Sequence, residues 1–186
     1  MRAPQSWYTE VLRAGDPQWS ATTDEIDAGF VRVGFEIEDI EAFPEITGPL
    51  VIGRVETIEE LTEFKKPIRF CTVAVGEDEP RGIVCGARNF AEGDLIVAAL
   101  PGVVLPGPFE IASRKTYGRV SDGMICSVSE LGIGTDHSGI LVLAPGTAEP
   151  GADAREVLGL ADAAIDVNVT PDRGYALSIR GIAREY

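Results

Sequence analysis

The chain has 186 residues, of which 45% are hydrophobic, and its formal net charge at pH 7 is −14. This length suits one or two small domains, and no apolar run approaches the roughly 18 residues that a membrane-spanning helix needs, so we expect a soluble protein that is not exported. The three cysteines, an odd number, do not fit a disulfide framework and favour a reducing compartment, the cytoplasm.

Acidic and basic residues are unevenly distributed along the chain. Residues 1–64 hold 14 acidic and 4 basic residues, residues 65–119 hold 6 and 8, and residues 120–186 hold 10 and 4. Proteins that bind nucleic acid concentrate Lys and Arg where they contact phosphates. We therefore expect any contact with RNA in the middle third of the chain.

The first 40 residues predict the first half of a small outer domain. Ser6 is a candidate N-cap for a short helix. Thr22 or Thr23, followed by two acidic residues, predicts a second helix, because acidic side chains in the first turn suit the helix dipole. Residues 34–40 alternate apolar and polar side chains, as a strand with one buried face does.

Short β-rich apolar runs, separated by Gly and Pro, fill the middle of the chain. The runs that predict strands are residues 50–55, 68–75, 82–86, 95–100, 109–119 and 140–143. Short strands joined by tight turns predict a small closed β-barrel rather than a helical domain. Residues 41–48 and 144–153 are interpreted as the linkers that enter and leave this barrel.

The last part of the chain returns to the outer domain. Residues 157–160 are apolar, and residues 164–169 alternate in the way a half-buried strand does. The predicted fold class is α+β and mainly β. In it, a small β-barrel of residues 41–151 is inserted into a small α+β domain that residues 1–40 and 152–186 form together.

The side chains present raise two kinds of functional site, a zinc site and a nucleophilic catalytic site. Cys71, Cys85 and Cys126 with His137 are candidate zinc ligands, but their spacing is wide and irregular, so buried small side chains are the better interpretation. His137 and the neighbouring Asp136 lack the G-x-S-x-G element that accompanies many serine hydrolase sites. The sequence therefore predicts neither a metal site nor a nucleophilic site.

The order of several short motifs carries a resemblance to a known family. The motifs are VCGARN, ALPGVVLPG, SDGMICS, ELG and DHSGI, together with Pro4, Ser6, Trp7, Thr170, Pro171, Arg173, Ser178 and the GIARE segment at 181–185. With these motifs the chain resembles the N-terminal part of the bacterial phenylalanyl-tRNA synthetase β subunit. That part includes an inserted tRNA-binding domain with the oligonucleotide-binding fold.

The resemblance implies the function of a complete enzyme. Such an enzyme attaches phenylalanine to its tRNA with ATP and magnesium, as a cytoplasmic α2β2 heterotetramer whose aminoacylation site lies in the α subunit. We expect residues 1–186 to carry no catalytic site, metal or cofactor, to bind phenylalanine-specific tRNA weakly, and to have no membrane partner. The alternative is an architectural module that makes protein contacts in the synthetase without touching RNA.

The candidate tRNA-binding side chains combine positive charge with hydrogen-bonding groups. Oligonucleotide-binding folds hold looped or single-stranded nucleic acid on one barrel face with such groups. The candidates are Lys65, Lys66, Arg69, Arg88, Asn89, Arg114, Lys115, Arg119, Ser121, Met124 and Ser127. For each of them, a solvated surface side chain is the alternative interpretation.

The barrel departs from the family pattern at two places. The connector at residues 56–67 lacks the usual His-Pro and Ala-Asp-Lys-Leu elements. An Arg-Gly pair commonly precedes the Ser-x-Gly-Met element, whereas here Tyr117 precedes Gly118 and Arg119 follows it. These departures and the acidic net charge favour the architectural alternative, while the local excess of basic residues favours a weak contact with RNA.

Overall fold

The computed structural model describes residues 1–64 and 68–186, and the chain divides into two compact units. Met1–Phe43 and Ala161–Tyr186 form the first, here called the end unit, and Pro44–Leu160 form the second, called the barrel unit. The barrel unit differs at both ends from the predicted barrel of residues 41–151, and the larger difference is at the second end, because residues 152–160 pack with the barrel unit. That the barrel is a domain inserted into an outer domain stays a prediction.

The elements are numbered in chain order. The strands are β1 (Arg2–Pro4), β2 (Glu36–Ala42), β3 (Leu50–Leu61), β4 (Ile68–Ala74), β5 (Arg81–Cys85), β6 (Leu95–Ala99), β7 (Val104–Leu105), β8 (Phe109–Glu110), β9 (Arg114–Thr116), β10 (Arg119–Ser121), β11 (Met124–Ile125), β12 (Val142–Leu143) and β13 (Ala163–Asn168). The helices are α1 (Gln5–Arg13), α2 (Thr23–Arg32), α3 (Ala154–Leu158) and α4 (Ile179–Ala183), and a 3₁₀ helix spans Pro171–Leu177.

The end unit is built on an antiparallel sheet with the strand order β1-β13-β2. The two chain ends meet in this sheet, because β13 lies between β1 and β2. An apolar core that includes Tyr8, Phe30 and Ile165 joins the sheet to the helices. Edge-to-face ring contacts between Tyr8 and Phe30, with centroids 5.5 Å apart, contribute to this packing.

The helices α1 and α2 of the end unit begin in different ways, and only one of the two predicted N-caps is found. At α2 the Thr22 hydroxyl accepts a hydrogen bond from the Glu25 N–H (3.2 Å), and the Glu25 carboxylate accepts one from the Thr22 N–H (2.8 Å). This capping box confirms the predicted helix start. Ser6 is not an N-cap: α1 begins after Pro4, and the Ser6 hydroxyl donates instead to Asp162 (2.6 Å).

The barrel unit contains an antiparallel sheet with the strand order β11-β6-β3-β4-β5. The end of β10 and the residue that follows it close most of the gap between the outer strands β11 and β5. The Asp122 N–H donates to the Gly82 carbonyl (2.8 Å), and the Val84 N–H donates to the Ser121 hydroxyl (3.0 Å). The sheet is therefore a nearly closed barrel, which confirms the predicted mainly β fold.

Two predicted strands of the barrel differ from the observed ones. The strand predicted at residues 50–55 continues to Leu61, because a bulge after Val55 bends β3 and lets it go on pairing with β4. The prediction of one strand over residues 109–119 is wrong. A tight turn at Tyr117 and Gly118 folds this segment into the β9–β10 hairpin.

Strand β6 is buried on both faces and separates two apolar clusters of the barrel unit. The interior cluster contains Cys71 and Cys85, and the cluster on the other face contains Cys126 and the start of α3. The predicted burial of the cysteines is confirmed. Burial raises the pKa of Cys71 and of Cys126 to about 12, so these thiols stay protonated at neutral pH.

Among the residues that the structure describes, no helix has both the length and the apolar character required to cross a membrane.

Candidate nucleic-acid interface

The β9–β10 hairpin carries three of the candidate cations, Arg114, Lys115 and Arg119. Its register pairs Lys115 with Val120 and Thr116 with Arg119. Directly opposed residues of an antiparallel pair project from the same face, and neighbours along a strand project from opposite faces. Arg114 therefore shares a face with Arg119, whereas Lys115 projects from the other face beside the exposed Val120.

An aromatic residue occupies the tip of this hairpin. Tyr117 has φ of +48° and Gly118 has φ of +71°, which is the combination found in two-residue hairpin turns. The Tyr117 ring contacts the Phe64 ring edge to face, with centroids 4.9 Å apart and an interplanar angle of 76°. Both side chains remain exposed, at 39% for Tyr117 and 37% for Phe64.

Arg119 lies against the outer surface of the barrel. Its guanidinium carbon is 5.2 Å from the centroid of the Phe70 ring on β4, and it forms an ion pair with Glu59 on β3. Phe70 in turn covers Gly82 on β5, where an added Cβ would lie 2.4 Å from the ring. The aromatic ring on the outer surface of β4 thus lies beside a cation of β10 and the carboxylate of β3 that neutralises this cation.

A second acidic residue of β3 binds two other candidate arginines. The Glu60 carboxylate accepts hydrogen bonds from Arg69 Nε and from Arg88 Nη2, both at 2.9 Å. Arg69 also donates to the Phe90 carbonyl (3.0 Å) and lies 5.2 Å from the centroid of the Phe90 ring. These contacts hold Arg69 in place and offset the positive charge of Arg88.

Asn89 joins two loops of the barrel unit. Its amide Nδ2 donates to the Ile140 carbonyl (2.8 Å), and its Oδ1 accepts from the Ile140 N–H (3.0 Å). A Cβ at the preceding Gly139 would lie 2.4 Å from Asn89 Oδ1, so only glycine fits there without a shift. Both polar atoms of the Asn89 amide are thus satisfied within the fold.

Three further candidates contribute to the packing of the barrel unit. Ser121 is buried and its hydroxyl donates to the Gly123 carbonyl (3.0 Å). Ser127 is also buried, and its N–H donates to the Glu130 carboxylate (2.6 Å). Met124 packs against the apolar cluster beside α3. Lys65 and Lys66 lie outside the residues that the structure describes. A role in RNA binding for all these residues stays a prediction.

The basic residues of the barrel unit differ in whether a carboxylate lies close to them. The paired residues are Arg54 with Glu149, Arg69 and Arg88 with Glu60, Arg81 with Glu77 and Asp122, Arg119 with Glu59, and Arg155 with Asp153. Within residues 44–64 and 68–160, Arg114 and Lys115 are the basic residues that form no ion pair. Only these two can meet a phosphate there without first losing an acidic partner.

Two of these ion pairs persist at neutral pH because their carboxylates are strongly held. Hydrogen bonds from Arg81 lower the pKa of Glu77, and hydrogen bonds from Arg155 lower the pKa of Asp153. Both carboxylates are therefore ionised under physiological conditions. Arg81 and Arg155 consequently add little net positive charge to the surface.

The loop that holds the single histidine has ordinary turn geometry. His137 is exposed, and its Nδ1 lies 3.1 Å from the Thr135 carbonyl. The Ser138 N–H donates to Asp136 and lowers the pKa of that carboxyl. In the described residues, 1–64 and 68–186, no group of three or more His, Cys, Asp or Glu side chains is placed to hold a metal ion.

Sequence reasoning missed the acidic residues that neutralise the candidate arginines. Glu59 and Glu60 were visible in the connector, but their partners depend on the β3–β4 register, which places Glu60 opposite Arg69. The contact of Phe64 with Tyr117 was also missed, because 53 positions of chain separate the two rings. The apolar character of Phe64 in an acidic connector was the one available signal.

The chain is similar to a known protein family and to several known proteins. The family described as "Putative tRNA binding domain" matches residues 50–153, more than half of the chain. The chain is 64% identical over 189 residues to the phenylalanine–tRNA ligase beta subunit of Nocardia farcinica, which covers 100% of this chain and 23% of that protein. It is 62% identical over 195 residues to the same subunit of Corynebacterium jeikeium, with the same coverage of 100% and 23%.

These relatives confirm the resemblance that the sequence motifs carry, and the chain spans 23% of their length. A solved structure, the CsaA chaperone protein from Picrophilus torridus, is 16% identical, covers 55% of this chain and 86% of that chain, and gives a TM-score of 0.40. A TM-score of this size is too low to support an argument about function.

Proposed function

The chain belongs to the tRNA-binding domain family, and from that premise we propose that its barrel unit contacts tRNA through the β9–β10 hairpin. The observation that carries the proposal is the pair of exposed cations Arg114 and Lys115, which form no ion pair within the described part of the barrel unit. Lys and Arg contacts to phosphates supply most of the affinity of proteins for nucleic acid. Two such contacts support weak binding.

The strand order of the barrel unit also supports the β9–β10 hairpin as the surface that contacts tRNA. Counted along the chain, the barrel strands β3, β4, β5, β6 and β11 have the spatial order 5-4-1-2-3. In an oligonucleotide-binding fold, the ligand lies on strands 2 and 3 between the loop joining strands 1 and 2 and the loop joining strands 4 and 5. Phe64 follows β3 in the first of these loops, and the hairpin belongs to the second.

The complete protein, in this proposal, is the β subunit of a phenylalanine–tRNA ligase, which attaches phenylalanine to its tRNA. The names of the relatives support this assignment. The complete enzyme would be a cytoplasmic α2β2 heterotetramer that uses ATP and magnesium, with an α subunit as the partner of this chain. Residues 1–186 then have a binding role and leave catalysis to other parts of the enzyme.

An architectural role is the second candidate, and specific contacts favour it. Glu59 and Glu60 occupy three of the candidate arginines, and the net charge of the chain is −14. A surface neutralised in this way attracts RNA less than a basic groove does. In this alternative the barrel unit contacts protein in the synthetase and another part of the enzyme binds the tRNA.

Titration of labelled phenylalanine-specific tRNA with the purified chain at about 50 mM salt separates the two candidates. The tRNA proposal predicts saturable binding in the micromolar range that excess unlabelled tRNA reverses. Absence of binding at this low salt concentration would overturn it in favour of the architectural role. Nanomolar affinity at physiological salt would contradict the weak contact that two cations support.

A further inference from the structure

We propose that Tyr117, backed by Phe64, is a stacking site for an unpaired RNA base, so that the hairpin selects looped or single-stranded nucleotides over base-paired RNA. The inference rests on the proposed function, since it assigns the kind of RNA that the same surface takes. It differs from phosphate contact in chemistry, because stacking uses the face of an aromatic ring.

The position of Tyr117 in the turn is not explained by the requirements of folding. Its φ of +48° lies in the left-handed region, where Gly, Asn and Asp are favoured and a bulky side chain is uncommon. Tyr117 is also the one non-glycine residue with positive φ among the described residues. Residues held in such conformations concentrate at functional sites, because folding alone would select against them.

Burial does not explain the aromatic pair either. Tyr117 is 39% exposed and Phe64 is 37% exposed, and neither belongs to an apolar core cluster in the described residues. The edge-to-face contact at 4.9 Å fixes the two rings relative to each other while leaving ring surface open to solvent. A fixed, exposed aromatic surface can accept a planar partner with little loss of side-chain entropy.

The charges around the rings indicate which planar partner fits. Arg114 and Lys115 lie on β9, just before Tyr117 in the chain, and they form no ion pair in the described part of the chain. Proteins that bind single-stranded nucleic acid combine cations that follow the phosphates with aromatic rings on which bases stack. Inside duplex RNA the base faces are already covered by neighbouring base pairs, so the interior of a duplex offers no face to Tyr117, whereas an unpaired base does.

The test compares two RNA probes and two substitutions at one residue. The probes are a uridine oligonucleotide of about 12 nucleotides and a duplex RNA of the same length. Tyr117→Asn removes the ring and suits the left-handed backbone, so the hairpin is retained, and an unchanged melting temperature checks this. Tyr117→Phe keeps the ring and is the matched control.

We expect the unsubstituted chain to bind the single strand more tightly than the duplex. Tyr117→Asn should reduce affinity for the single strand roughly 5- to 100-fold, change affinity for the duplex less than about twofold, and leave the salt dependence unchanged, because stacking contributes no counterion release. Tyr117→Phe should bind like the unsubstituted chain.

The outcomes separate this inference from the proposed function. Equal affinity for single strand and duplex, or full single-strand affinity in Tyr117→Asn, would overturn the stacking site while leaving RNA binding by the hairpin intact. An acidic peptide with aromatic residues that displaces the single strand more effectively than unlabelled RNA does would point to a protein partner and would also overturn the stacking site. If no RNA binds at about 50 mM salt, the proposed function fails first.

Discussion

At the scale of single residues, the availability of Arg119 is set by one carboxylate. Glu59 forms an ion pair with Arg119, while the Phe70 ring lies beneath the guanidinium at 5.2 Å. A phosphate that approaches Arg119 must compete with Glu59 for the same hydrogen-bond donors. Under the proposed function, Glu59 therefore lowers the affinity of this surface for RNA.

Replacing Glu59 by Gln should strengthen tRNA binding, because Arg119 becomes available to a phosphate. We expect an increase in affinity of about 3- to 10-fold at low salt and a salt slope that is steeper by about one phosphate contact. Filter binding or fluorescence anisotropy at several salt concentrations measures both. Glu79→Gln, which removes the same charge from the exposed segment between β4 and β5, is the control. Equal effects of the two substitutions would mean that only net charge matters.

Tyr8 offers a test of stability that is independent of RNA. Its hydroxyl is buried and has no hydrogen-bond partner in the described residues, and burial, followed by the charge of Asp166, raises its pKa to about 12. Tyr8→Phe should therefore stabilise the end unit by about 1 kcal/mol at neutral pH, since an unsatisfied buried group is removed. Thermal unfolding measures the change, with the exposed Tyr175→Phe as the control.

The pH dependence follows from the same shift. The unfolded state loses the Tyr8 proton near its ordinary pKa of 10, whereas the folded state keeps it to about 12. The contribution of neutral Tyr8 is fully present below pH 10 and is lost as the pH rises from 10 to 12. Tyr8→Phe should flatten this part of the alkaline stability profile, and an unchanged profile would contradict the assignment.

At the scale of secondary-structure elements, features that depend on neighbouring residues could be predicted from the sequence. Features that depend on pairing between distant parts of the chain could not. The start of α2 followed from Thr22 and the acidic residues after it, because a capping box needs only four consecutive residues. The extension of β3 to Leu61 depends on its bulge and on pairing with β4. The split of residues 109–119 depends on Tyr117 accepting a turn conformation that its side chain does not favour.

The capping box of α2 gives a prediction at this scale. Thr22→Ala removes the oxygen that accepts the Glu25 N–H and should reduce the free energy of unfolding by about 1 kcal/mol. Thr22→Ser keeps the acceptor and should stay within a few tenths of a kcal/mol of the unsubstituted chain. Urea denaturation followed by circular dichroism compares the three proteins. Equal stability of all three would show that the cap contributes nothing.

At the scale of the whole molecule, the spacing of the apolar runs predicted a β-barrel. The distribution of acidic and basic residues predicted the part of the chain that holds Arg114 and Lys115. The middle third was the one part of the chain with more basic than acidic residues, and Arg114 and Lys115 lie within it. The number of available cations could not be predicted, because ion pairs such as Glu60 with Arg69 and Arg88 form only in the fold. The sequence therefore overestimated the positive surface.

The most direct test of the account is the salt dependence of tRNA binding in two double variants. Arg114→Ala/Lys115→Ala removes the two cations that form no ion pair within the described residues of the barrel unit, and Arg180→Ala/Arg184→Ala removes the same charge from exposed positions of the end unit. For the unsubstituted chain and the second variant, we expect affinity to fall roughly tenfold between about 50 and 200 mM salt. The first variant should bind too weakly to measure even at low salt. Equal losses in the two variants, or an unchanged salt slope in the first, would contradict tRNA contact through the β9–β10 hairpin.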